Sequence, residues 1–190
     1  MKTKIIFMMI YCIVSINTFS LDVSKYKIVL FIFKEKQIVI IYNSPDKDSI
    51  VAKIKDDDKA DKLYGFNVLE KQDSMIKVIA WNTINRKEIT GWIKITETAI
   101  YGRTRTKNSI YELYDNPNYK SGKTLVNSNW ESYMFIGKKH MKIYENIDAN
   151  FRVFDISGKW LKVEVRGKDK IYRKWLPMQY QCVDVYNSCT

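Results

Sequence analysis

Val153-Phe154-Asp155-Ile156-Ser157-Gly158-Lys159-Trp160-Leu161-Lys162-Val163 restates, without a gap, Val68-Leu69-Glu70-Lys71-Gln72-Asp73-Ser74-Met75-Ile76-Lys77-Val78. Upstream, Leu113-Tyr114-Asp115-Asn116-Pro117-Asn118-Tyr119-Lys120-Ser121 matches Ile41-Tyr42-Asn43-Ser44-Pro45-Asp46-Lys47-Asp48-Ser49, with Tyr, Pro and Ser in register. Downstream, Lys174-Trp175-Leu176 answers Gly91-Trp92-Ile93. Three matches in one order make chance similarity improbable, and a repeat has to be found before a fold is assigned. The chain is expected to hold two copies of one small β domain.

Strand periodicity supports this. From Met75 to Trp81, Ile76, Val78 and Ala80 share one face and Met75, Lys77, Ile79 and Trp81 the other. In the second copy Leu161, Val163 and Val165 oppose Trp160, Lys162, Glu164 and Arg166. A period of two denotes strands. The apolar run Tyr26 to Phe33, a break at Lys34–Gln37 and a new run from Ile38 to Tyr42 read as a hairpin, as do Ala99–Tyr101 and Ile110–Tyr114. Pro45 and Pro117 cannot donate to a ladder and mark loops leaving a strand. The second copy is longer between Val126 and Arg152, an insertion centred on residues 127–150 that holds Trp130 and His140. Its aromatics serve either as a binding loop or as a lid packed on the domain. With no Pro- or Ser-rich linker, the boundary falls near Thr96–Thr98. The expected division is residues 1–20, 21–97 and 98–190.

The first of these segments carries an address. Lys2 and Lys4 precede an apolar run from Ile5 to Val14, and Thr18-Phe19-Ser20 places small residues where a signal peptidase reads. A membrane span needs about 20 apolar residues, so a cleaved signal and an exported protein, periplasmic or secreted, are expected. Lipid anchoring at Cys12 is the minor alternative. Export leaves Cys182 and Cys189, a pair close enough in sequence to close a short terminal loop in an oxidising compartment; two inert thiols are the other possibility. Zinc is disfavoured, since a structural site takes four ligands and the chain has one histidine.

The formal charge of +11 points to anionic envelope polymers or lipid headgroups rather than nucleic acid, or simply to solubility, because no polybasic block is present. At 46% hydrophobic, with five Trp and thirteen Tyr, the chain has ample core material and is not a disordered segment. Catalytic chemistry is poorly provided for. His140 is the one imidazole, and it stands beside Lys138 and Lys139. Asp56-Asp57-Asp58 with Asp61 lacks the Gly and distal Glu of a calcium loop. No Gly-rich phosphate loop occurs. No cofactor or metal is expected.

These phrases together resemble the bacterial Src-homology-3-like (SH3-like) domain. The resemblance rests on Tyr-x-x-Pro-x-x-x-Ser at Tyr42 and Tyr114, Gly158-Lys159-Trp160-Leu161-Lys162-Val163 and Gly91-Trp92-Ile93, and it covers nearly the whole exported chain. The sequence departs from the pattern at Lys174, where a Gly is usual, and at Met75 and Ile76, which replace Trp160 and Leu161 of the second copy. The resemblance implies an all-β protein of two tandem small barrels, each of five to six strands, used for binding rather than chemistry. Relatives in cell-wall hydrolases bind peptidoglycan or its cross-bridges.

Aromatic side chains are the candidate ligand contacts. Tyr42 and Tyr114 end the first strand of each copy, where such folds line a shallow groove. By parity Trp160 points away from Leu161 and Val163. It is either exposed or half-exposed for stacking on a sugar or peptide, or covered by the long loop, whose Trp130 is a further candidate contact. Trp92 and Trp175 are expected to be structural. The function expected is a non-enzymatic binding module at the cell envelope, peripheral to the membrane, whose ligand is peptidoglycan, a surface glycan or a protein or peptide. The alternative is a small exported hydrolase of the cell wall or a glycan, using a carboxylate pair.

Overall fold

The computed structural model describes residues 21–34, 37–60, 62–102, 110–127, 150–166 and 171–182. The expected signal segment, Trp130, His140 and Cys189 lie outside them. The described strands are β1 (Leu21–Asp22), β2 (Val29–Ile32), β3 (Val39–Tyr42), β4 (Ile50–Ile54), β5 (Tyr64–Gln72), β6 (Met75–Asn82), β7 (Ile89–Lys94), β8 (Thr98–Tyr101), β9 (Ile110–Tyr114), β10 (Lys123–Asn127), β11 (Asn150–Ser157), β12 (Trp160–Arg166) and β13 (Ile171–Leu176). The only helical segments among the described residues are short 3-10 turns. The fold is all-β.

All the described strands join one open antiparallel sheet in the order β10-β9-β13-β12-β11-β8-β2-β5-β6-β7-β3-β4, with β1 beside β5. The order is the same six-strand sequence twice: β2-β5-β6-β7-β3-β4 and β8-β11-β12-β13-β9-β10. Details repeat as well. Val68 faces Val78 as Val153 faces Val163, and each pair is followed by a bulge, before Glu70 in one copy and before Asp155 in the other. The turns that follow have two residues, and the first is left-handed in both, Asp73 (φ 50°) and Gly158 (φ 56°). A positive φ there matches the twist of the flanking strands. Tyr42 pairs with Trp92 as Tyr114 pairs with Trp175. The ungapped sequence match is therefore also a match of backbone position.

β8 serves both copies. It follows the 3-10 turn Ile95–Glu97 and pairs back on β2, Ile32 facing Thr98 and Phe31 facing Ala99. Its other edge carries β11. After the corresponding 3-10 turn, Met178–Tyr180, Gln181 bridges Gly102 and the Cys182 N–H donates to the Tyr101 carbonyl at 2.8 Å. The tail thus docks beside the end of β8 much as β8 docks on β2.

Inward residues of both copies form one apolar cluster, including Leu30, Ile41, Phe66, Val78 and Ile93 from the first and Ile100, Leu113, Phe151, Val163 and Leu176 from the second.

The two expected hairpins do not form. β2 pairs with β5 and β8, while β3 pairs with β4 and β7. Leu30, Phe31 and Ile32 are consecutive and all buried, so β2 is covered on both faces, and an uninterrupted apolar run marks such a central strand rather than a hairpin arm. Lys34–Gln37 also lacks the Gly or Asn that a tight turn takes. Residues 102–109, between β8 and β9, exceed the usual hairpin loop of about two to five residues.

Cys182 is buried at the foot of this docked tail. We propose that it is bridged to Cys189, which would tie down a terminus otherwise free to fray, by about 2.5 kcal/mol for so short a loop. Alkylation of the native, unreduced protein is expected to label neither cysteine, and stoichiometric labelling of both would refute the bridge.

Candidate functional site

Two places on the sheet concentrate aromatic and polar chemistry. The first lies in the second copy, where Trp160 opens β12. Strand parity does turn it away from Leu161 and Val163, but the side chain is only 5% exposed, so of the two alternatives it is the covered ring that the structure shows. Tyr114 meets its ring edge-on at 5.3 Å between centroids, and Tyr119 packs on it at 4.7 Å, tilted by 56°. Tyr114, Trp160 and Trp175 form a second buried cluster, separate from the main core. Parity fixes the face a side chain points to, not what covers that face. Tyr119, half-exposed, is the member of this group that meets solvent. Lys159 holds its ammonium 5.8 Å from the Tyr119 ring.

Electrostatics lock the cluster's edge. The Tyr114 hydroxyl donates to a Glu112 carboxylate oxygen at 2.6 Å, and the Lys123 ammonium donates to the other oxygen at 2.8 Å. Because the phenol's proton is held by a carboxylate, the Tyr114 pKa is pushed up to about 12. Glu112 is held below the usual carboxylate range, first by Lys123 and then by Tyr114. In the first copy Tyr42 is half-buried against a buried Trp92, and Met75, also buried, stands where Trp160 does. Of the expected ligand contacts, the structure brings Tyr114 and Trp160 together. Tyr42 sits at the equivalent place in the other copy, and Trp130 lies outside the described residues. Trp92 and Trp175 are both buried, as structural residues should be.

The second place was not apparent from sequence. A pocket of about 470 Å³ opens in the first copy and is lined by Asn67, Trp81, Asn82, Thr83, Arg86 and Glu88. It exists because β6 outruns β7: the last pair between them is Ala80 with Ile89, so Trp81 and Asn82 continue beside β5 alone. Gly65 faces Trp81 across the β5–β6 ladder. A Cβ on Gly65 would lie 2.4 Å from the indole, so the missing side chain lets the ring lie flat over the strand. The indole N–H then donates to Asn67 Oδ1 at 3.3 Å, which fixes the ring's orientation. Asn82 shapes the far wall. Its Oδ1 accepts the N–H groups of Ile84 and Asn85, both at 3.1 Å, and its amide donates to Asn85 Oδ1 at 2.8 Å. This Asn-centred turn brings Arg86, in the left-handed region at φ 52°, and Glu88 to the mouth. Both are exposed, and neither is ion-paired among the described residues. The signal that could have found the pocket is Gly65 in register with Trp81, which emerges only once the Val68 bulge is counted.

In the second copy Arg152 and Arg166 take the sequence positions of Asn67 and Trp81. Arg152 donates through Nε to the Thr96 carbonyl at 2.8 Å, across the junction of the copies. The acidic run near Asp56 has a local structural task, since Asp56 Oδ1 accepts the Tyr64 N–H at 2.8 Å where β5 begins. No family model matches the chain, and no curated protein or solved structure matches it either.

Proposed function

We propose that the chain is an exported, non-enzymatic binding module that acts at the cell envelope, built as two SH3-like barrels in series with β8 common to both. The observation that carries this is the exact recurrence of a six-strand order with its bulge, turn and Tyr–Trp pair in place, around a shared apolar cluster. Such an arrangement presents surfaces, and among the described residues the pocket around Trp81 is lined by an indole, two amides, Thr83, Arg86 and one carboxylate, Glu88. Glycosidases as a rule place two carboxylates about the scissile bond. Envelope ligands of the expected kinds are peptidoglycan, a surface glycan or a peptide, and the strongly basic chain is drawn to an anionic envelope.

The test is retention of the purified protein on isolated sacculi and, separately, on outer-membrane extract. Retention on one of them that survives high salt is expected of a built site. Retention on both that vanishes as salt rises would reduce the interaction to net charge, and either that result or no retention at all would overturn the proposal.

A further inference from the structure

We propose that the pocket around Trp81 is a saccharide site that takes a hexopyranose ring of a glycan chain. The inference rests on the binding role proposed above and adds to it a place and a ligand class. A pyranose has an apolar C–H face, which seeks an aromatic plane, and a rim of hydroxyls, each both donor and acceptor. The pocket offers the same two halves. Trp81 lies flat over Gly65 and is held there by Asn67, so its plane is pre-set and little side-chain freedom is lost on binding. Around it stand an acceptor, the Glu88 carboxylate, a donor, the Arg86 guanidinium, and the Asn67 amide N–H₂, whose oxygen is already engaged by the indole.

Charge narrows the ligand class further. On a protein of formal charge +11 the described residues of this lining are formally neutral, Arg86 offsetting Glu88. A phosphate or other polyanion would meet the Glu88 carboxylate at the mouth with no surplus of cations among the described lining residues to compensate, and like-charge juxtaposition discriminates against such ligands. Hydroxyls use both charged groups at once. The volume falls in the range of about 300–1,000 Å³ found for small-molecule sites. Geometry is rigid on three sides: the β5–β6 ladder beneath, the Asn82 turn behind and the Trp81 ring across the floor. The second copy carries Arg152 and Arg166 at the matching positions, so a single saccharide site per chain is expected.

The test is a titration of the purified protein with cellotriose, chitotriose and maltotriose, and in parallel with uridine monophosphate and triglycine, followed through the indole N–H signals by nitrogen-edited NMR. Trp81→Phe identifies the signal to watch. Saturable movement of the Trp81 signal by at least one saccharide is expected, with the Trp92 and Trp160 signals unmoved. Glu88→Gln and Arg86→Gln, which leave the bond from the indole to Asn67 intact, are each expected to weaken that saccharide about tenfold or more. Movement caused by uridine monophosphate or triglycine and by no saccharide would overturn the assignment, as would a Trp81 signal that none of the saccharides moves at millimolar concentration. If retention on envelope fractions is unchanged by Glu88→Gln and Arg86→Gln, the binding role stands and this site is removed from it. If the unsubstituted protein is retained nowhere, the role itself fails, whatever the titration shows.

Discussion

Trp160→Ala is expected to lower the stability of the fold by about 3–5 kcal/mol, the usual cost of truncating a buried Trp to Ala. The side chain is 5% exposed and is the common neighbour of Tyr114 and Tyr119, so its removal leaves a void that two rings border rather than a vacated surface. The bond from Tyr114 to Glu112 holds one of those rings in place and hinders collapse into the space. Urea unfolding measures this as a fall in midpoint at unchanged slope. Tyr119→Ala is the control: half of that residue is exposed, and a much smaller loss is expected. If Trp160→Ala unfolded at the parent midpoint, the second cluster would contribute nothing to stability and the ring would be available to a ligand after all.

Gly91→Ala is expected to cost about 1–3 kcal/mol, the range for overfilling a packed site. A Cβ at Gly91 would lie 2.4 Å from Ile41 Cγ2 and 2.6 Å from the Tyr42 carbonyl oxygen. The first atom belongs to a fully buried side chain and the second to the backbone of β3, so neither gives way cheaply. Relief requires β3 and β7 to separate where Tyr42 pairs with Trp92. In the second copy Lys174 occupies the matching position and reaches Asp115 at 2.6 Å. Lys174→Ala loses a partly exposed ion pair, worth about 0–1 kcal/mol. Thermal unfolding of the two variants side by side tests the asymmetry. Equal losses would mean that the Gly of Gly91-Trp92-Ile93 is not a packing requirement.

Legibility in the sequence followed the range of the interactions involved. The alternation at Ile76–Ala80 and Leu161–Val165 reports a local period, and the strands, their inward faces and the duplication could all be read from it. The partner of a strand depends on distant residues. That is why Tyr26–Phe33 looked like half of a hairpin, although Leu30, Phe31 and Ile32 are buried between β5 and β8. Trp160 shows the same limit at a single side chain: its face was legible, its cover was not, because Tyr114 and Tyr119 arrive from a different strand and loop. The Trp81 pocket needed three non-local facts at once: the bulge that sets Gly65 opposite the indole, the early end of the β6–β7 pairing and the turn built by Asn82.

The double duty of β8 bears on how this chain can come apart. A cut between Glu97 and Thr98 falls at the halfway point of the repeat, yet it strips the first half of the strand that lies on β2 and leaves Phe31 and Ile32 without their partners at Ala99 and Thr98. Moving the cut beyond Gly102 rescues that half and deprives the second, whose β11 hangs on Ala99–Tyr101 and whose tail hangs on Gly102. No single scission yields two intact pieces. The halves are therefore conjoined in the manner of twins who share an organ. Thermal unfolding is accordingly expected to take both halves in one transition.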